Sequence, residues 1–162
     1  MARVYLGLGS NIDAVANLRL GLDELRRRYG DVEVSPVYRS AAVGFEGDDF
    51  LNLVAALDTD DAPAELHAAM ESIHDLAGRD RGSDRYASRP LDIDLLLYDD
   101  LILEHPRFRL PRHDVLEYSF VLRPLAELAP ELKHPETGRA MAAHWQDYDA
   151  ASHPLHSVDV IL

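Results

Sequence analysis

The chain has 162 residues, of which 47% are hydrophobic and 28% charged, with a formal net charge of −13 and no cysteine. That length suits one domain over 1–162 with a core of its own, and the missing thiols exclude a disulfide framework and a thiolate metal site. The acidic balance argues against nucleic acid or an anionic membrane as the main partner, since both need a basic footprint.

Taken in order, Val4, Leu6 and Leu8 alternate with Tyr5 and Gly7 as a half-buried strand does. The opening residues therefore read as a strand rather than an export signal. No apolar run approaches the ~20 residues that span a bilayer, and the expected setting is the cytoplasm. From Asp13 to Tyr29 the spacing of Leu18, Leu22 and Leu25 is helical, with Gly30 at the capping position. A second strand is expected over Val32–Arg39, with Pro36 marking an edge or a bulge. A loop holding Gly44 and Gly47 follows, and then an apolar strand over Phe50–Leu57. Asp61 and Pro63 open another helix, with Leu66, Met70, Ile73 and Leu76 as its core stripe, and it stops at Gly78. Arg79–Pro90 has no periodicity and reads as a loop, and Leu91–Leu95 is a period-2 strand. Beyond it lie an extended piece at Leu101–Leu103 and a helix near Phe120–Leu128. The order predicts an α+β fold with a ferredoxin-like βαββαβ core, an antiparallel sheet carrying both helices on one face, and C-terminal additions. Such a fold hosts many functions, so chemistry must be argued from side chains.

Asp92 and Asp94 are two residues apart on a strand. They share a face at a Cα separation of roughly 6.6 Å, while Leu91, Ile93 and Leu95 take the other. Aspartate is disfavoured in strands, and two like charges this close repel unless a cation lies between them. Mg²⁺ meets that need because it takes carboxylate oxygens together with substrate phosphates. The bland alternative is the solvated face of an amphipathic strand. Next to these acids, Arg79, Arg81, Arg85 and Arg89 place four guanidiniums in a chain whose only lysine is Lys133. Guanidinium forks suit phosphate oxygens, so arginines running into paired acids have the polarity of a metal–polyphosphate site. A solvated loop partly neutralised by Asp80 and Asp84 is the alternative here. No Gly-x-x-x-x-Gly-Lys-Ser/Thr sequence occurs, and Gly7-Leu8-Gly9 lacks the third glycine of a dinucleotide fingerprint. The histidines show no metal-ligand spacing, and His67 and His74 read as surface or boundary residues.

Arg79-Asp80-Arg81 with Arg85, Arg89 and Leu91-Asp92-Ile93-Asp94-Leu95-Leu96 resembles the signature of 6-hydroxymethyl-7,8-dihydropterin pyrophosphokinases. Tyr5–Asn11, Val37–Ser40, Phe50-Leu51-Asn52, and Phe120–Leu122 through Pro124-Leu125 with Glu127–Pro130 resemble further blocks of that family, in the family's order. The resemblance implies transfer of pyrophosphate from ATP to a hydroxymethyl pterin, with AMP leaving and with ATP and the pterin as the only partners of a monomer. It implies that Asp92 and Asp94 bind two Mg²⁺ ions, which activate the pterin hydroxymethyl oxygen and neutralise the β-phosphate. Arg79 and Arg89 match phosphate-clamping arginines, and Arg81 and Arg85 match positions that enclose ATP. The implied pterin slot comprises Ser40, Val43, Phe50, Asn52, Tyr86 and Phe120, with Asn52 and the Ser40 backbone meeting the ring's amide edge. Read from pattern alone, Phe50 and Phe120 are ordinary core residues. Asn52 says more, because a buried amide needs partners.

Several positions depart from the family pattern. Arg112, followed by His113, stands where the family carries a histidine that contacts ATP. Tyr118 replaces an arginine that reaches the substrates, His74 a glutamate, and Tyr86 a loop tryptophan. Arg112 is accordingly expected to contact the nucleotide, with His113 beside it, and to compensate for the charge missing at Tyr118. The rivals are a divergent paralogue that binds pterin or nucleotide with little turnover, and a ferredoxin-like interaction module whose charges are surface decoration. Retention of Asp92, Asp94, Arg79 and Arg89 speaks against the module.

Overall fold

A computed structural model of the chain describes residues 1–44, 46–78 and 90–162. Val4, Leu6 and Leu8 lead the chain into β1 (Ala2–Ser10), where all three are buried. In α1 (Ala14–Tyr29) the Leu18, Leu22 and Leu25 stripe is fully buried, and the helix ends at Gly30, whose φ of 83° strains any L side chain. The strand expected over Val32–Arg39 is two strands, β2 (Glu33–Val34) and β3 (Val37–Ser40). Pro36 has no N–H to give a ladder, and the Ser35 hydroxyl accepts the Val54 N–H at 2.8 Å, so the pairing breaks between them. Both pieces pair with β4 (Phe50–Thr59).

α2 (Pro63–Leu76) starts on a proline, whose missing N–H would have had no helical partner, and the Glu65 carboxylate accepts the Ala62 N–H at 3.1 Å. Leu66, Met70 and Ile73 are buried as their spacing requires, but Leu76 is 57% exposed and does not extend the stripe. His74, read from sequence as a surface or boundary residue, is instead buried at 2% exposure, four residues from Met70 on the inward face. β5 (Asp92–Tyr98) follows. The extended piece expected at Leu101–Leu103 lies further on, as β6 (Leu103–His105), with Leu101 and Ile102 exposed; it forms a hairpin with β7 (Phe108–Leu110). Then come α3 (Asp114–Glu117), α4 (Ser119–Leu128), α5 (Met141–Asp147) and β8 (His156–Val158).

The main sheet runs β5-β1-β4-β3-β8 with antiparallel neighbours throughout. Without β8 this is the ferredoxin-like order expected from the sequence. Side chains of α1 and α2 pack with Val4, Leu6, Leu8, Leu53 and Ile93 on one face of the sheet. On the other face Tyr5, Val54, Ala56 and Leu97 pack with Val121, Leu122 and Leu125 of α4 and Met141 of α5. α4 is further tied down where the Tyr38 hydroxyl donates to Glu127 and the Arg123 guanidinium lies 4.7 Å from the Tyr38 ring centre. Burial, and then this bond to a carboxylate, pushes the Tyr38 pKa up to about 12. Among the described residues no helix is long and apolar enough to cross a membrane.

Candidate active site

The helix-covered second face is incomplete at one end, and there the polar residues of three strands meet. Along β5, Ile93 and Leu95 are buried toward α1 and α2, so the period of two turns Asp92 and Asp94 to the opposite face, where both are half-buried. Gly9 of β1 lies opposite Asp92, and Gly7 opposite Asp94. On the far side of β1, Asn52 of β4 faces Gly9. One row across the sheet therefore reads Asp92, Gly9, Asn52. At a strand spacing of about 4.8 Å its ends stand roughly 10 Å apart.

Gly9 keeps the middle of that row clear. A Cβ there would come within 3.0 Å of Asn52 Oδ1 and 3.7 Å of the Phe50 ring. Asn52 is 7% exposed and donates from Nδ2 to Ser40 Oγ at 2.8 Å, so Ser40 meets it through its hydroxyl. The loop after β1 is tied to the loop before β4 by Asn11 Nδ2, which donates to the Asp48 carbonyl at 3.2 Å. Over the glycine floor opens a cleft of ≈ 530 Å³, with Asp92 and Asp94 at one end and Ser40, Val43, Phe50, Asn52 and Phe120 at the other.

Arg112 reaches this cleft because β5 is irregular. Leu6 pairs with Leu95 and Tyr5 with Leu97, which leaves Leu96 as an extra residue. The Leu96 carbonyl, released from the ladder, accepts the Arg112 N–H at 2.9 Å. That bond holds the Arg112 side chain beside the acids. Its Nη2 lies 3.7 Å from Asp94 Oδ1, and its Nε lies 3.1 Å from Asp114 Oδ2. The latter is an ion pair whose N–H is not aimed at the oxygen, and among the described residues Nε has no well-directed hydrogen bond. Burial opposes the guanidinium's charge, but Asp94, then Asp114 and Asp92, outweigh it and hold its pKa above the ordinary arginine value. Tyr118 stacks on Phe120 with ring centres 5.0 Å apart, and extends the aromatic wall at the position where the family pattern carries an arginine.

His74 fixes the strand from the other side. β5 ends the sheet, so the Ile93 N–H, turned away from β1, meets no strand; the His74 Nε2 accepts it at 2.8 Å. This amide lies between the two aspartates, so the imidazole sets the height at which both are presented. Replacing His74 by Leu leaves a buried N–H without its acceptor, which costs about 1–3 kcal/mol. Thermal unfolding followed by circular dichroism should show a melting temperature lower by several degrees. An unchanged midpoint would mean that β5 holds its place without the imidazole.

Of the residues expected from sequence, the cleft unites Asp92, Asp94, Arg112, Ser40, Val43, Phe50, Asn52 and Phe120. His113 is exposed and is not among its lining residues. Arg79, Arg81, Arg85, Tyr86 and Arg89 lie outside the described residues. The cleft adds Gly7, Gly9 and Asp114, which sequence reasoning did not single out as site residues. Glycines two apart on a strand share a face and leave it flat, and that was the available signal for the first two. Asp114 carried none, since its relation to Asp94 depends on the bulge.

The donor set suits a hard divalent cation. Asp92 and Asp94 offer carboxylate oxygens from one face into one cleft, and Mg²⁺ is bound in this way by one or two carboxylates with substrate phosphates completing the shell. No group of three or more His, Cys, Asp or Glu side chains able to hold a metal ion occurs among the described residues.

Three comparisons bear on these features. The family model described as 7,8-dihydro-6-hydroxymethylpterin-pyrophosphokinase matches residues 5–130. The 2-amino-4-hydroxy-6-hydroxymethyldihydropteridine pyrophosphokinase of Pseudomonas aeruginosa is 40% identical over 138 residues, covering 83% of this chain and 85% of that one. The enzyme of the same name from Methylorubrum extorquens is 41% identical over 136 residues, covering 82% and 85%. Among solved structures, wild-type HPPK-DHPS of Plasmodium falciparum superposes with a TM-score of 0.72 at 14% identity, over 91% of this chain and 44% of that one. This chain thus spans less than half of that protein, and the likeness concerns the fold.

Proposed function

The chain belongs to the 7,8-dihydro-6-hydroxymethylpterin-pyrophosphokinase family, and we propose that it transfers pyrophosphate from Mg-ATP to 6-hydroxymethyl-7,8-dihydropterin, releasing AMP, as a step of folate biosynthesis. The observation that carries this reading is the row Asp92, Gly9, Asn52, which sets a cation-holding end and an amide-holding end in one cleft.

Asn52 and Ser40 take the amide edge of the pterin, while Phe50 and Phe120 flank its flat face, with Tyr86 covering it. The ring's fixed pose points the hydroxymethyl oxygen along the glycine floor toward the acids. That oxygen forms a bond to the β-phosphorus as the bond to the α–β bridging oxygen breaks, and AMP departs with the electron pair. Asp92 and Asp94 would hold the magnesium, two ions in all, which when bound would supply positive charge at the phosphates and ease loss of the alcohol proton to water. Arg79 and Arg89 clamp the transferred phosphates, and Arg81, Arg85, Arg112 and His113 meet the rest of the nucleotide. The protein works as a monomer in the cytoplasm.

A second reading, binding with little turnover, is favoured by one observation: Arg112 is already engaged with Asp94 and Asp114. Incubation with Mg-ATP and the hydroxymethyl pterin decides between them. AMP formed in equal amount to diphosphorylated pterin is the expected result. ADP in place of AMP would mean transfer of a single phosphoryl group, and neither nucleotide would leave only binding.

A further inference from the structure

Among the described residues, the carboxylates of Asp92, Asp94 and Asp114 line the cleft together with the Arg112 guanidinium. Arg112 is held there by its own backbone: the Leu96 carbonyl grips its N–H at 2.9 Å, so the side chain can swing but its root cannot leave. The guanidinium lies 3.7 Å from Asp94 Oδ1, the carboxylate assigned to the metal, and 3.1 Å from Asp114 Oδ2. With its side chain 37% exposed, it is neither locked in the core nor lost to solvent.

We propose that Arg112 is a resident counter-cation of the metal site, which a divalent ion must displace from Asp94 and which the polyphosphate then draws onto itself. This rests on the reading that Asp92 and Asp94 hold the metal. A dication and a guanidinium repel at such distances, and each competes for the same carboxylate oxygen. Metal alone therefore enters against Arg112. Once a polyphosphate is present, its oxygens offer the guanidinium a better bidentate partner, and metal and nucleotide bind with mutual reinforcement. Arg112 is in this sense a positioning residue: it sets the order in which the site fills, and Asp114 keeps it within reach of both states. A neutral side chain at this place would impose no such order.

The test uses the full chain and Mn²⁺ as the probe, with free Mn²⁺ read by electron paramagnetic resonance in the absence of nucleotide. Arg112→Gln removes the charge and should tighten Mn²⁺ binding roughly tenfold. Arg112→Lys keeps the charge and should stay close to the parent. With α,β-methylene-ATP present the advantage of Arg112→Gln should vanish or reverse, because the parent then gains a phosphate contact that the variant lacks. Unchanged or weaker Mn²⁺ binding by Arg112→Gln overturns the proposal, as does equal tightening by Arg112→Lys. Asp94→Asn separates this from the metal assignment beneath it. Loss of Mn²⁺ binding in Asp94→Asn without tightening in Arg112→Gln overturns the counter-cation alone, whereas parental Mn²⁺ binding in Asp94→Asn overturns both.

Discussion

Asp92→Ala and Asp94→Ala are each expected to lower the rate of AMP formation by about 10³-fold or more, since a metal ion at a phosphoryl centre supplies several kcal/mol of charge stabilisation. The fold should survive. Both side chains point away from the buried Ile93 and Leu95, and the strand is held by the β1 ladder and by His74. Removing either aspartate relieves the repulsion between two carboxylates on one strand face, but Asp94→Ala also gives up the ion pair with Arg112, so the two effects oppose one another and the melting temperature should change little. The measurement is initial rate against Mg²⁺ concentration, together with circular dichroism of each variant. Full turnover in both variants would take the metal away from β5 and leave the arginine-rich segment without its partner.

Asn52→Leu should cost about 1–3 kcal/mol of pterin affinity, which is on the order of ten- to a hundredfold in Kd. The residue is 7% exposed, and its amide already engages Ser40 Oγ at 2.8 Å, so it stands in a fixed orientation before any ligand arrives. A leucine of similar size fills the place but offers no group to the amide edge of a flat heterocycle, whose polar atoms would then be buried unpaired. ATP affinity should barely change, because the nucleotide is assigned to the other end of the row. Calorimetric titration with the pterin and, separately, with Mg-ATP distinguishes the two. Unchanged pterin affinity would return Asn52 to a structural role as the partner of Ser40.

Much of this molecule was legible in the order of its residues. That Asp92 and Asp94 share a face follows from the strand period, a property of three consecutive residues that no distant contact alters. The leucine stripe of α1 and the glycine after it are local in the same way. The order of strands and helices carried the ferredoxin-like core, because short connections leave few ways to pair them. The tertiary structure alone decided the matters that depend on register and on irregularity. Val32–Arg39 became two strands because a serine hydroxyl and a proline broke its ladder. Leu76 fell outside the core and His74 inside it, since one residue of helix rotation separates a side chain facing the sheet from one facing water. The row that joins Asp92 to Asn52 exists because β1 lies between β5 and β4 with Gly9 at that level, two pairings between residues so far apart that no window of sequence contains them. Arg112 reaches Asp94 because Leu96 bulges and frees a carbonyl to hold it. Periodicity tells which side of a strand a residue occupies, but only the assembled sheet decides what stands across from it.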